Sequence, residues 1–105
     1  MTEKRKPSYD LTAFKRVFNR ADGVSITTSA LQNAAALGLG RRGITEVIQT
    51  MEGRHFYKSM TSYANSRVWQ DVYHVPSDLG VLYVKFTAGV LTEFLLLSFK
   101  GRDDG

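Results

Sequence analysis

Cysteine is absent from the 105 residues, which removes disulfides and thiolate metal sites together. Proline occurs only twice, at Pro7 and Pro76, and the chain shows no internal repeat, low-complexity tract or linker. No apolar run approaches the roughly 20 residues needed to cross a bilayer, and the stretch Phe94–Leu97 is only a buried-strand signal. Behind the polar start Glu3-Lys-Arg-Lys6-Pro7 no apolar segment of a secretory signal follows, so the expected compartment is the cytoplasm, with no membrane. A paired-histidine metal motif, an Asp-x-Asp cluster, a glycine-rich phosphate loop and a Ser-His-Asp arrangement are all missing. The acids Asp71, Asp78 and Glu93 are dispersed, which is poor material for a two-metal nuclease. Neither a metal nor a cofactor is expected.

What the chain does hold is ordinary for one globular domain: 43% hydrophobic and 23% charged residues at a length that fits a single core. Its charge is unevenly spread. The first twenty residues carry six basic side chains (Lys4, Arg5, Lys6, Lys15, Arg16, Arg20) against Glu3 and Asp10, so they hold the whole net charge of +4. A mobile basic arm over residues 1–9 suits salt-sensitive attraction to nucleic acid, and equally suits a plain solubilising terminus.

Periodicity divides the chain in two. Asp10 is a good helix N-cap, followed at helical spacing by Leu11, Phe14, Val17 and Phe18, with Asp22-Gly23 as the closing turn. Val24–Thr27 alternates as a short edge strand. Thr28 or Ser29 then caps an alanine-rich second helix that stops at Gly38 or Gly40. Ile44, Val47, Ile48 and Met51 predict a third helix between Gly43 and Gly53. From residue 55 the pattern changes to strands, over His55–Tyr63, Val68–His74, Val81–Thr87 and Leu91–Lys100, with a flexible tail expected at 101–105. Short connections favour an antiparallel meander. The fold class is therefore α+β: three N-terminal helices packed on one face of a mainly antiparallel C-terminal sheet.

Polar residues inside those strands are the candidates for chemistry. Lys58 lies in Phe-Tyr-Lys-Ser-Met and Gln70 in Trp-Gln-Asp, while Tyr83 and Lys85 share a strand face because they are two apart. Leu82, Val84 and Phe86 then point to the core. In the last strand, Leu95, Leu97 and Phe99 as core would bring Lys100 out on the opposite face, beside Tyr83. Such a face suits a phosphodiester, although lysines and tyrosines on a solvent face are common on structural grounds alone. His55 and His74 are lone histidines, and Tyr57, Tyr63, Trp69 and Tyr73 can either stack on unpaired bases or fill a core.

The words themselves are more specific than their spacing. His55-Phe-Tyr-Lys-Ser-Met-Thr-Ser-Tyr63, Val68-Trp-Gln-Asp-Val-Tyr73, Val81-Leu-Tyr-Val-Lys85 and Leu97-Ser-Phe-Lys100 resemble, in order, the core of the MqsR (motility quorum-sensing regulator) mRNA interferase toxins. Ile26-Thr-Thr-Ser-Ala-Leu31, Asn33 and Leu37-Gly-Leu39 extend the resemblance, which spans about Lys4 to Lys100. It implies a RelE-like fold and ribosome-independent, metal-independent cutting of single-stranded mRNA at short GC-containing triplets. It also implies an antitoxin partner with a zinc-binding N-terminal domain and a helix-turn-helix C-terminal domain, through which operator DNA is reached indirectly. The family's catalytic set falls on Lys58, Gln70, Tyr83 and Lys100, with Tyr57, Trp69, Lys85 and His74 as further RNA contacts. His74 stands where the family carries a basic residue after Asp-Val-Tyr, which would make that phosphate contact depend on pH.

The expected mechanism uses the RNA 2′-hydroxyl as nucleophile. Lys58 and Lys100 stabilise charge on the phosphorane, Gln70 orients, and Tyr83 moves a proton if nearby ammonium groups lower its pKa from about 10. Read from the residues alone, a non-catalytic RNA-binding or protein-interaction module stays open, with Val24–Thr27 as an edge for a partner strand.

Overall fold

Asp10 begins the first helix as its side chain predicts. The structure, a computed structural model, describes residues 2–20 and 23–103. The Asp10 carboxylate accepts from the Thr12 N–H at 2.9 Å and from that of Ala13 at 3.4 Å, opening α1 (Leu11–Phe18). The Asp22 half of the expected closing turn lies outside the described residues. Strand β2 (Val24–Ile26) leads into α2 (Thr28–Ala36), whose cap is Thr27 rather than Thr28 or Ser29, its hydroxyl accepting from the Ala30 N–H at 3.1 Å. Gly38 ends this helix in the left-handed region at φ +82°. Gly40 instead caps α3 (Arg41–Gln49), so Gly43 lies inside that helix rather than at its start. Two reciprocal bonds fasten α3 to α1: Lys15 Nζ donates to the Met51 carbonyl at 2.9 Å, and Gln49 Nε2 to that of Lys15 at 2.8 Å.

One sheet carries the rest. Its strands are β1 (Glu3–Lys4), β3 (Phe56–Thr61), β4 (Trp69–Ser77), β5 (Gly80–Ala88) and β6 (Phe94–Gly101), and their order is β1-β3-β4-β5-β6-β2. All neighbours are antiparallel except β2, which runs parallel to β6 at the edge. The fold is thus the expected α+β arrangement of three helices and a mainly antiparallel sheet. Phe14, Val17, Phe18, Ile44 and Ile48 from the helices meet Tyr73, Val75, Leu82, Val84, Phe86 and Phe99 from the sheet in one buried cluster. At its centre the Phe14 and Phe86 rings stack 3.7 Å apart. Ala30 and Ala34 of α2 are fully buried, and their small size lets that helix lie close over β6.

Four features depart from the pattern read in the sequence. Residues 2–9 do not form a free basic arm. Glu3 and Lys4 pair with β3, Thr2 and Thr61 exchange hydrogen bonds, and the Ser8 and Tyr9 N–H groups donate to the Asp71 carboxylate at 2.9–3.0 Å. Asp71 is fully buried and needs such donors, which the N-terminal segment supplies. Second, β3 starts at Phe56 because Gly53–His55 forms a 3-10 turn in which His55 Nδ1 accepts from the Glu52 N–H at 3.0 Å. Third, β4 runs on through Pro76, tolerated because pairing with β3 ends at Phe56↔Tyr73 and leaves that edge open. The turn contracts to Asp78-Leu79, with Gly80 at φ +96°.

The fourth departure concerns β6, which begins at Phe94 and carries a bulge. Its register with β5 moves from Lys85↔Ser98 to Phe86↔Leu96, leaving Leu97 unpaired. The inward alternation flips there, so Phe94, Leu96 and Phe99 are buried instead of Leu95, Leu97 and Phe99. The Leu97 carbonyl accepts from the Thr27 hydroxyl at 3.0 Å, which ties the bulge to the cap of α2. Gly101 closes β6 opposite Leu82, and the Arg102 N–H donates to the Val81 carbonyl at 2.9 Å, so the expected tail is paired this far.

Candidate active site on the open sheet face

The face turned away from the helices collects the strand residues that carry chemistry. Cross-strand register sets Lys58, Val72, Lys85 and Ser98 in one row, and His74, Tyr83 and Lys100 in the next. A bulge between Phe56 and Lys58 adds Tyr57 to this face beside Lys58. Its ring stacks on His74 with centroids 4.3 Å apart, and His74 in turn lies 6.1 Å from the Tyr83 ring. Lys100 Nζ stands 5.6 Å from the Tyr83 centroid, and Lys58 Nζ 5.3 Å from that of Tyr57. Gln70 faces the same way, two residues from Val72 along β4 and opposite Met60. Lys58, Gln70, Tyr83 and Lys100 therefore share one face with Tyr57, His74 and Lys85.

Trp69 is the exception among the expected site residues. Its ring lies under Lys4 Nζ at 4.2 Å, and Lys4 pairs with Ser59, whose hydroxyl meets that of Ser8 on the helix side. The alternation of β4 puts Trp69 with Asp71 and Tyr73, away from the lysines. Tyr63 stands fully in solvent on the β3–β4 loop, and Tyr73 belongs to the core.

Beneath the charged groups lies an apolar floor. Val72 is fully buried and Met60 nearly so, yet neither belongs to the helix-side cluster. Burial beside this floor bears on Lys85, His74 and Tyr83. Burial lowers the Lys85 pKa, with Lys100 adding to the effect. Burial also lowers His74 below its ordinary value, helped by the charges of Arg102 and Lys58. Tyr83 is raised, because burial outweighs the pull of Lys58. That corrects the expectation that ammonium groups would lower it: the phenol keeps its proton at neutral pH.

Lys58 is held in the opposite sense. A hydrogen bond from its Nζ to Glu3 Oε2 at 2.6 Å raises its pKa and lowers that of Glu3. Glu3 reaches it because β1 lies beside β3, with Glu3 opposite Met60 on the same face. Sequence reasoning missed Glu3 and also Arg102, whose charge bears on His74 from just past β6. Neither is marked by any motif, since each arrives through strand pairing. Among the described residues no group of three His, Cys, Asp or Glu side chains stands close enough to hold a metal ion. Two cavities of about 510 and 480 Å³ lie elsewhere, one between the α2–α3 region and the β4–β5 turn, the other beside Arg20, Arg41 and Arg42. The chemistry instead occupies an open sheet face, a shape suited to a strand laid across it rather than to a small enclosed ligand.

Comparison with known proteins supplies the rest. Residues 6–101 match the family model described as motility quorum-sensing regulator, toxin of MqsA. The chain belongs to this family. It is also 43% identical over 100 residues to the mRNA interferase toxin MqsR of Escherichia coli (strain K12), covering 95% of this chain and 99% of that protein. The matched residues take in Lys58, Gln70, Tyr83 and Lys100, and Glu3 lies before them.

Proposed function

We propose that this protein is the toxin of a type II toxin–antitoxin pair, a ribosome-independent endoribonuclease that cuts single-stranded mRNA. The observation that carries this reading is the cross-strand register Tyr83↔Lys100, which sets a protonated phenol beside an ammonium group, with Lys58 on the same face. Family membership and the relative's mRNA interferase activity support it. Cleavage follows from RNA's own chemistry and needs no metal-bound water. The 2′-oxygen attacks phosphorus and the bond to the 5′-oxygen breaks, leaving a 2′,3′-cyclic phosphate and a 5′-hydroxyl. Lys58 and Lys100 stabilise charge on the phosphorane, worth most in the transition state. Tyr83, protonated at neutral pH, gives its proton to the departing 5′-oxygen. Gln70 orients the phosphate or a base through its amide, while Tyr57, His74 and Lys85 line the path of the strand.

The finer reading follows the family: short GC-containing triplets as targets, action in the cytoplasm, and growth arrest through loss of translation. The partner is an antitoxin with a zinc-binding N-terminal domain and a helix-turn-helix C-terminal domain, which brings the pair to operator DNA. The decisive experiment is cleavage of a mixed-sequence single-stranded RNA in excess chelator. Wild-type protein should cut and leave cyclic-phosphate ends. Lys58→Ala and Lys100→Ala should lose about 10²–10³-fold in rate, and Tyr83→Phe about 10²–10⁴-fold. Loss of wild-type cutting in chelator, or full activity in all three variants, contradicts the mechanism. RNA retention without cut ends would instead mark a binding module.

A further inference from the structure

The three lysines of the open face are not equivalent. Lys85 and Lys100 make no ion pair among the described residues, whereas Lys58 donates to Glu3 Oε2 at 2.6 Å. The cation that Lys58 would offer to a phosphate is thus already matched by a carboxylate, and its side chain is only 20% exposed. Each partner favours the charged form of the other, so both are ionised at neutral pH. We infer that Glu3 is a positioning residue that occupies Lys58 in the protein without substrate and is exchanged for a phosphate of the RNA. It thereby sets affinity at this end of the site, an inference that rests on the reading of this face as the RNA site.

The exchange can proceed without releasing β1. The pairing of Glu3 with Met60 and of Lys4 with Ser59 is fastened on both sides, by the Thr2–Thr61 bonds and by the Ser8 and Tyr9 amides on Asp71. The Glu3 side chain itself is 47% exposed, and among the described residues its hydrogen bond is the one to Lys58. A turn about its own torsions therefore uncovers the ammonium, a motion of picoseconds to nanoseconds for an exposed side chain. Arg5 is the cation it can turn toward, because the Arg5 charge already bears on Glu3. Lys4 does not serve, since it lies over the Trp69 ring on the other face. The balance favours the incoming strand. A partly exposed Lys–Glu pair is weak in water, while a phosphate binds with release of its counterions. A phosphate seated at Lys100 and Tyr83 also holds its neighbours along the RNA at high local concentration near Lys58. Once the carboxylate has turned away, Lys58 serves the phosphorane, so Glu3 acts on binding and not on the chemical step.

The test compares wild type with two full-length variants that remove the same charge, Glu3→Gln and Glu46→Gln, the second on α3 in the helix layer. Affinity is read by fluorescence anisotropy with a mixed-sequence 2′-O-methyl RNA, which lacks the nucleophile. The matching RNA gives kcat and KM, and thermal melts check folding. Glu3→Gln should bind about 2–5-fold more tightly and lower KM in proportion, with kcat unchanged. Glu46→Gln should leave affinity and KM as in wild type, because salt screens a distant charge. Equal tightening in the two variants assigns the effect to net charge and overturns the exchange. So does unchanged or weaker binding by Glu3→Gln. A lower kcat in that variant overturns it too, since Glu3 would then stay on Lys58 through the chemistry. In each of these cases the nuclease reading stands while wild type cuts and Lys58→Ala does not. Wild-type protein that neither binds nor cuts RNA removes both.

Discussion

Along β4 and β5 the side chains alternate between a face sealed by helices, carrying Tyr73, Val75, Leu82, Val84 and Phe86, and a face left open, carrying Val72, His74, Tyr83 and Lys85. The sealed face is apolar and closely packed, and its tyrosine is pushed up to about 12 by burial and by the nearby Asp71 and Asp10 carboxylates. The open face is basic and aromatic, yet burial also raises Tyr83 and lowers His74 and Lys85. An apolar floor of Val72 and Met60 can therefore tune titrating groups without enclosing them. One face holds the fold together and the other holds charge where a polyanion can reach it.

Three measurements would break or sharpen that division. Removing the central ring of the sealed face, Phe86→Ala, should cost about 3–5 kcal/mol of stability in urea unfolding. A smaller loss would mean that the core refills around Phe14 and that the division is shallower than the stacking implies. Asp71→Asn should cost about 1–3 kcal/mol, because the Ser8 and Tyr9 amides lose a charged acceptor. Faster hydrogen exchange at those two amides, together with loosened pairing of β1, would show that the sealed face also positions Glu3 on the open one. The smallest effect concerns pH. The folded pKa of His74 is depressed, so the unfolded chain takes up this proton first on acidification. Its stability contribution is present above the unfolded value near 6.5 and is lost as pH falls below it. His74→Gln should remove that part of the acid destabilisation. Identical melts of wild type and variant from pH 7.5 to 5.5 would show that the open face does not perturb the ring.

Much of the architecture was legible as pattern. Asp10 with Phe14, Val17 and Phe18 marked a helix and its buried stripe, and Leu82, Val84 and Phe86 marked a strand and its inward face. The side on which Lys100 emerges was also read correctly, though partly through a wrong alternation, since the bulge at Leu97 lies before Phe99 and leaves the strand's end in phase. Bulges are invisible to period-two reading because they insert one residue without a composition signal. The words named Lys58, Gln70, Tyr83 and Lys100 as candidates, and strand register sets them on one face; Trp69, expected as a further RNA contact, lies on the other.

By itself the sequence determined the Asp10 helix cap, the apolar stripes of the helices, the absence of thiolate ligands and the family to which the chain belongs, because each depends on residues near one another or on a preserved order of words. Tertiary structure decided what depends on pairing between distant strands. It brought Glu3 onto Lys58 across 55 residues of chain, set Arg102 to act on His74, and fixed residues 2–9 along the sheet through the buried Asp71 carboxylate. It also decided the protonation of the open face. Burial and neighbouring charge set a side chain's pKa, and both are properties of the assembled sheet rather than of the residue.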